Sequence, residues 1–190
     1  MTSSASKSKM AYVGSVPGAK KRDSDSWFTP KNFTDSARKV MGSIDLDPFS
    51  SAAANKLVQA AKFYTEEDNA FEQDWKIRRR YRDKCVWMNP PYSGQLCRAA
   101  VNKFMDCYNA GTFDTGIFLV NNSTETGWFQ RALLNCNAVC FPGKRISFWN
   151  VDGKAVSGNT RGQAFFYFGN NAEKFFEEFD QYGSVIVIRP

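Results

Sequence analysis

Apolar residues recur every three or four positions near the start of the patterned part of the chain, which predicts a helix. The apolar positions are Phe33, Ala37, Val40 and Met41. Thr29 is placed to cap this helix, Pro30 suits its first position, and Gly42 suits its end. The pattern therefore predicts order from "WFTP" onward.

Short apolar runs then alternate with helical patterns. The runs that predict strands are "SIDLD", "CVWMN", "TGIFLV", "AVCF", "RISFW", "QAFFYF" and "VIVI". Between them, helices are predicted for "SAAANKLVQAAK", for residues 95–110, for "ETGWFQRALL" and for "AEKFFEEFDQ". This alternation predicts an α/β fold with a mostly parallel sheet and helices on both faces, and with residues 145–149 and 163–168 as an antiparallel hairpin at its edge.

The composition fits one folded unit preceded by a tail. The chain has 190 residues, of which 43% are hydrophobic, enough for a single domain with a sizeable core. Residues 1–24 are rich in Ser, Lys and Gly without periodic apolar positions, so they are predicted to be a disordered basic tail, and residues 25–190 one domain. No apolar run reaches membrane-spanning length, so we expect a cytoplasmic protein with no membrane partner.

The net charge of +6 is unevenly distributed. Five basic residues precede the first acid, Asp23, which leaves 20 basic against 19 acidic residues in the rest of the chain. Within that part, six basic residues surround a single acid; they are Lys76, Arg78, Arg79, Arg80, Arg82 and Lys84. This basic cluster is either a solvated face or a surface that contacts phosphates, with Tyr81 available to stack on a base.

The residue types argue against several chemistries. The chain has five cysteines and no histidine, and no C-x-x-C pair, so neither a disulfide framework nor a zinc site is indicated. Five acids between residues 66 and 74 leave a metal-dependent nuclease open as an alternative, although no lysine motif converges on them.

The strand "CVWM" runs into Asn89-Pro90-Pro91-Tyr92, an unusual group at a strand end. In an open α/β sheet, ligands bind beyond the carboxyl ends of the strands. The asparagine offers a carbonyl acceptor, the prolines leave their carbonyls free, and the tyrosine offers a flat face. Acceptors of this kind fit an exocyclic NH₂ group and favour a pyramidal nitrogen whose lone pair points outward. Because the proton can leave after attack, no histidine base is required.

This corner resembles the (D/N/S)-P-P-(Y/F/W) motif of amino methyltransferases that use S-adenosylmethionine. Further segments occur in the order found in small phage-type DNA adenine methyltransferases of the Dam-like family: "WFTP", "DLDPFSSAAAN", "FYTEEDNAFEQDW", "VWMNPPY" and "GKRISFW". The resemblance covers residues 27–168. It implies a reduced Rossmann-like class I methyltransferase, S-adenosylmethionine as cofactor, and transfer of methyl to the N6 amine of a flipped adenine in double-stranded DNA. A monomer, acting in the host cytoplasm if phage-encoded, is favoured.

The resemblance also implies roles for individual residues. Asn89, Pro90, Pro91 and Tyr92 are the implied catalytic group. The implied cofactor-binding residues are Trp27, Thr29, Pro30, Asp47, Pro48, Phe49 and Asp68. DNA reading falls to the basic cluster, with Arg78, Arg79 and Arg80, and to the Gly-rich loop that carries Arg161. No metal is implied.

Two departures from the family pattern concern the cofactor. The glycine-rich loop usual after D-P-F is "SSAAAN" here, and the ribose-binding acid has no clear counterpart, with Glu66 and Glu67 as candidates. Methylation of cytosine N4 is an alternative because its amine presents the same geometry. Enzymes that methylate a protein glutamine or RNA guanine share the N-P-P-Y spelling, but they generally carry an intact glycine-rich loop and an added N-terminal domain, neither of which is recognised here. A DNA-binding module without catalysis is another alternative.

Overall fold

The computed structural model describes residues 16–17, 27–78, 80–150, 154–155 and 159–188. The predicted basic tail lies almost wholly outside these residues. In the described part, no helix is long and apolar enough to cross a membrane.

The described residues form five helices and seven strands. The helices are α1 (Lys31–Met41), α2 (Ala52–Val58), α3 (Gly94–Asn109), α4 (Gly127–Asn135) and α5 (Ala172–Phe179), followed by a short 3₁₀ helix (Asp180–Tyr182). The strands are β1 (Leu46–Asp47), β2 (Lys62–Phe63), β3 (Cys85–Met88), β4 (Thr115–Asn121), β5 (Ala138–Pro142), β6 (Gln163–Phe168) and β7 (Gly183–Val187). The order of elements confirms the predicted alternation.

All seven strands belong to one sheet, in the order β2-β1-β3-β4-β6-β5-β7. Strands β2, β1, β3 and β4 are parallel to one another. Strand β6 is antiparallel to both β4 and β5, and β7 is antiparallel to β5. Five strands therefore run in one direction and two in the other, which confirms the Rossmann-like α/β class.

The predicted hairpin is made of other segments. Residues 145–149 form no named strand; Trp149 makes only isolated bridges to Phe28 and Ala155. Strand β6 lies inside the sheet rather than at its edge, and the antiparallel edge pair is β5 and β7. The physical reason is that all six residues of β6 are buried, and a strand that is apolar on both faces is stable only between two neighbours.

The first helix begins one residue later than predicted, because Pro30 occupies the N-cap position and makes no side-chain cap. The prediction that Thr29 caps this helix is therefore wrong. Helix α2 is shorter than predicted, since Gln59 adopts a left-handed conformation at φ 53° and ends it.

The core has two layers, one on each face of the sheet. Alternate residues of β4 point to opposite layers: Phe118 joins the layer under α3 and α4, and Leu119 the layer under α1 and α5. Helix α3 packs tightly on the sheet at Gly116, where an added Cβ would lie 2.4 Å from Cζ of Phe104. Because Phe104 is fully buried, its ring has no free space to move into.

We expect Gly116→Ala to lower the free energy of unfolding by about 1–3 kcal/mol, because the added methyl overpacks the contact with Phe104. Urea unfolding of the purified protein measures this. Gly127→Ala is the matched control, since a Cβ at Gly127 meets nothing within 4 Å. Equal stability of the two variants would contradict the close packing of α3 on β4.

Candidate active site

Polar side chains meet at one end of the sheet because β1, β3 and β4 are parallel neighbours. Asp47 closes β1, Asn89 follows β3, and Asn121 closes β4. Two cavities open at this end, a first of about 510 Å³ and a second of about 380 Å³. Both have the size of sites that hold small organic ligands.

The first cavity lies beyond β1 and β3. Among the residues that line it are Trp27, Phe28, Thr29, Asp47, Pro48, Phe49, Ser50, Ser51, Thr65, Glu66, Glu67, Trp87, Asn89, Pro90 and Pro91. Five of the seven residues predicted to bind a cofactor are thus brought together, beside three of the four predicted catalytic residues.

The first cavity is acidic and aromatic. Asp47, Glu66 and Glu67 line it, and none of its described lining residues is Lys or Arg. Oγ1 of Thr29 and Nε1 of Trp87 are two of the buried polar atoms of lining residues that have no hydrogen-bond partner among the described residues. Since buried polar groups are normally satisfied, these two atoms indicate that a polar ligand completes the cavity.

Burial perturbs the pKa of Asp47. Its side chain is 2% exposed, and burial raises its pKa to about 7. The backbone N–H of Phe49 donates to its Oδ1 at 3.3 Å and offsets part of this effect. A cation bound nearby would favour the ionised form.

The loop after β1 replaces glycines with a capped helix start. Ser51 is the N-cap of α2, and its Oγ accepts a hydrogen bond from Ala54 N at 3.1 Å. The side chains of Ala53 and Ala54 belong to residues lining the first cavity, where a glycine-rich loop would expose backbone.

The second cavity begins on the other side of the N-P-P-Y group. Tyr92 lines it, whereas Asn89, Pro90 and Pro91 line the first, and Trp27 lines both. The remaining lining residues are Gly94, Cys97, Asn121, Ser123, Glu125, Thr126, Trp128, Phe148, Asn159, Thr160 and Arg161. The Tyr92 and Phe148 rings meet edge to face, with centroids 5.7 Å apart.

Two hydrogen bonds fix the side chain of Asn89. Its Nδ2 donates to the carbonyl of Trp27 at 3.3 Å, and its Oδ1 accepts from the hydroxyl of Tyr92 at 2.8 Å. Burial raises the pKa of Tyr92 well above its usual value, so the tyrosine keeps its proton and remains a donor. An amide oxygen has two lone pairs, and one of those on Asn89 remains for a ligand.

Two predicted cofactor residues, Pro30 and Asp68, do not line either cavity. Asp68 is exposed, and its carboxylate accepts hydrogen bonds from the backbone N (2.7 Å) and the hydroxyl (2.8 Å) of Thr65. It thereby shapes the turn that brings Thr65, Glu66 and Glu67 to the first cavity. The sequence already pointed to Glu66 and Glu67, because they were the two candidates for the ribose-binding acid of the family.

The basic cluster lies at the other end of β3. Lys84 directly precedes β3, and its backbone N donates to Asp114 just before β4. From there to Asn89 is five residues of extended chain, about 16 Å. Arg78 and Arg80 are exposed and Arg79 lies outside the described residues, whereas Arg161 lines the second cavity.

The acids between residues 66 and 74 do not converge. In the part of the chain that is described, no group of three or more Cys, Asp or Glu side chains could hold a metal ion. None of the five cysteines forms a disulfide, and four of them are buried.

The profile of the DNA N-6-adenine-methyltransferase (Dam) family matches residues 17–182. The chain belongs to this family. The DNA N-6-adenine-methyltransferase of Haemophilus phage HP1 is 30% identical over 150 residues, which cover 76% of this chain and 78% of that protein.

A second Dam relative, the DNA N-6-adenine-methyltransferase of Escherichia phage T1, is 28% identical over 154 residues, which cover 75% of this chain and 61% of that protein. The chain therefore spans about three fifths of the length of the phage T1 relative. No solved structure matches this Dam family member. The family match includes both cavities and the N-P-P-Y group.

We expect Asp47→Asn to stabilise the protein at alkaline pH. The folded-state pKa of Asp47, about 7, lies above the ordinary value of 3.8, so the folded state holds the proton more tightly. The stability it contributes is present below about pH 4 and is lost as the pH rises toward about 7. At about 1.4 kcal/mol per pKa unit, the variant should be a few kcal/mol more stable than the wild type at pH 8.

Urea unfolding at pH 5 and pH 8 measures this effect, because the difference in free energy of unfolding between Asp47→Asn and the wild type should be smaller at pH 5. Asp106→Asn is the control, since this exposed carboxylate pairs with Arg131 at 2.7 Å and should change stability by less than about 1 kcal/mol. Parallel pH profiles for Asp47→Asn and the wild type would refute the assignment.

Proposed function

We propose that this protein transfers a methyl group from S-adenosylmethionine to the N6 amine of adenine in double-stranded DNA. The observation that carries the proposal is the position of Asn89-Pro90-Pro91-Tyr92 between two cavities that share the wall residue Trp27. A group that grips an amine between a cofactor cavity and a base cavity is what methyl transfer to a nucleobase requires.

The residues of the first cavity fit S-adenosylmethionine, whose reactive sulfur is a cation. Three carboxylates and the rings of Trp27 and Phe49 favour positive charge, and the absence of Lys and Arg from its described lining disfavours phosphate-bearing cofactors. The hydroxyl of Thr29 and the indole N–H of Trp87 are free to bond a polar ligand. When bound, the cofactor supplies an electrophilic methyl group.

Asn89 holds the target amine. The remaining lone pair of its Oδ1 accepts one amine hydrogen, and the Pro90 carbonyl accepts the other. Holding both hydrogens favours a pyramidal nitrogen. Its lone pair is then less delocalised into the base ring and is available for attack. After attack the nitrogen is cationic and acidic, so its proton leaves without a histidine.

Tyr92 has two tasks in this arrangement. Its hydroxyl keeps Oδ1 of Asn89 facing the amine, and its ring with that of Phe148 forms the aromatic wall of the base cavity. Base and aromatic ring surfaces attract by stacking, which favours a flipped base over an empty cavity.

We expect Asn89→Ala to reduce kcat about 10²- to 10³-fold, the cost of losing one preorganised hydrogen-bonding group at the reacting atom. The measurement is transfer of radiolabelled methyl to plasmid DNA, followed by digestion to nucleosides and identification of the methylated one by mass. Asn89→Asp keeps an acceptor oxygen and should retain more activity.

Asn109→Ala, at the exposed end of α3, serves as the control and should be fully active. Activity of Asn89→Ala at the wild-type level would exclude the assigned role of Asn89. Methylated cytosine in place of N6-methyladenine would show that the target base is cytosine. Absence of any methylated nucleoside with the wild type would refute the proposed function.

The DNA is proposed to reach the second cavity, whose rim carries Arg161, and to meet the basic cluster on a separate surface. Arg78, Arg80 and Arg82 make no ion pair or hydrogen bond within the described residues, and Tyr81 is 94% exposed. Unpaired guanidinium groups beside an exposed ring fit phosphates and bases. Two of the relatives come from phages, so the DNA is expected to be in the cytoplasm of a host cell.

Phosphate contacts at the basic cluster predict a change in salt dependence. In the double variant Arg78→Ala/Arg80→Ala, the slope of log Kd against log salt should fall by about 0.9 for each lost contact, with kcat unchanged at saturating DNA. Lys39→Ala/Lys174→Ala removes the same charge from side chains that pair with Glu178 and should leave the slope unchanged. Equal slopes for both double variants would show that the cluster is a solvated face.

A further inference from the structure

Gln163 is a buried polar residue whose amide orientation is fixed by the backbone. It is 3% exposed and begins β6. Its Oε1 accepts from the backbone N of Ile146 at 3.3 Å, and its Nε2 donates to the carbonyl of Arg161 at 2.8 Å. A backbone N–H can only donate and a carbonyl can only accept, so the side chain of Gln163 has one possible orientation.

That orientation determines the orientation of Asn121. The same Nε2 of Gln163 donates to Oδ1 of Asn121 at 3.2 Å, across the pairing of β4 with β6. Since Oδ1 of Asn121 must therefore accept, its Nδ2 is the atom left for other partners. Asn121 lines the second cavity, and its Nδ2 makes no hydrogen bond among the described residues.

Asn121 and Asn89 face the same side of the sheet. In the register of β3 and β4, Met88 pairs with Phe118, so Asn89 follows opposite Leu119 and Asn121 lies two residues further along. Residues two apart point to the same face, and the two Cα atoms are on the order of 8 Å apart. The end of the sheet thus presents an acceptor at Asn89 and a donor at Asn121.

We propose that Nδ2 of Asn121 donates a hydrogen bond to a ring nitrogen that flanks the amine of the target base, and that Gln163 is the residue that positions it. The inference rests on the proposed function. Adenine has such an acceptor on each side of its amine, at N1 and at N7. Guanine and thymine carry a carbonyl oxygen where Asn89 requires an amine, so this pair of groups selects amino bases.

The proposed hydrogen bond from Asn121 should discriminate strongly against bases that lack the ring acceptor. An amide donor that a bound base buries without offering it an acceptor costs more than the hydrogen bond itself is worth. Because Gln163 is held by two backbone groups, Asn121 cannot turn its oxygen toward the base without breaking its hydrogen bond to Gln163. The donor is therefore fixed before DNA binds.

The test compares base analogues and protein variants in one cycle. Duplexes carry the sequence that the wild type is found to methylate, with adenine, 1-deazaadenine, 7-deazaadenine or 3-deazaadenine at the target position. Each deaza base keeps the amine and loses one ring acceptor. For the wild type and for Asn121→Ala, kcat/KM is measured on all four duplexes.

We expect either the 1-deaza or the 7-deaza base to lower kcat/KM of the wild type about 10- to 100-fold relative to adenine, and to lower that of Asn121→Ala less than about threefold. The analogue whose effect is larger for the wild type than for Asn121→Ala identifies the ring nitrogen that Asn121 contacts. We call this difference the analogue coupling. The 3-deaza base should show no coupling, because N3 does not flank the amine. Effects of each analogue on base pairing cancel, since both proteins meet the same duplex.

Gln163→Glu tests the positioning role, because a carboxylate at this position accepts from Asn121 and turns its oxygen toward the cavity. Gln163→Glu should lose the analogue coupling although Asn121 is still present. Thermal unfolding checks that this variant folds. Gln163→Met, of similar volume, serves if the charge prevents folding, and should also weaken the coupling. Asn135→Ala, on the exposed end of α4, should behave as the wild type.

Three outcomes decide the matter. Coupling in the wild type that vanishes in the Asn121 and Gln163 variants supports the inference. Methylation by the wild type with equal analogue effects in wild type and Asn121→Ala refutes the inference and leaves the proposed function intact. No methylation by the wild type on any DNA refutes the proposed function and the inference with it.

Discussion

The site depends on the two hydrogen bonds that hold the amide of Asn89. One ties the end of β3 to the backbone of Trp27, 62 positions earlier in the chain, and the other ties it to Tyr92, three positions later. Together they make the segment before α1, the end of β3 and the turn before α3 into one wall. This wall stands between the two cavities, and Oδ1 of Asn89 keeps one lone pair that can still accept a hydrogen bond.

Burial sets the chemistry on each side of this wall. Burial keeps Asp47 at 2% exposure and raises its pKa, and no described basic residue lines the first cavity to offset this effect. Such an arrangement is unfavourable for the empty protein and becomes favourable when a cation enters. Stability and ligand binding are thus opposed at Asp47, which is a common cost of a preorganised site.

The sequence was sufficient for the parts of the structure that depend on short patterns. Strand β3 and its corner, the helices after residue 94 and the parallel half of the sheet follow from apolar runs and turn residues. The position of β6 did not follow, because local pattern does not tell which strands a buried strand pairs with, and a nearby apolar segment offered a false hairpin partner. The two-residue strand β2 also escaped prediction, since it is held by its pairing to β1 rather than by its own residues.

Site prediction had a similar limit. Motif residues that follow strand ends, such as Asp47 and Asn89, could be placed from sequence because the ends of parallel strands converge. Residues in the segment from 65 to 84 could not, since which part of an irregular segment turns toward a cavity depends on contacts such as that of Asp68 with Thr65. The Gln163 and Asn121 pair was likewise invisible, because their contact joins residues 42 positions apart across two strands.

The distribution of charge around the wall also determines the direction from which each ligand can come. Duplex DNA is a dense array of phosphates, and Glu66 and Glu67 of the first cavity repel it at close range. The rim of the second cavity carries Arg161 beside a single acid, Glu125, so a strand can approach there without this penalty. A cationic cofactor is instead attracted to the first cavity by the same carboxylates. Under the proposed function, the same fixed charges favour DNA and cofactor on opposite sides of Asn89, so that a base amine and a sulfonium methyl meet at that residue.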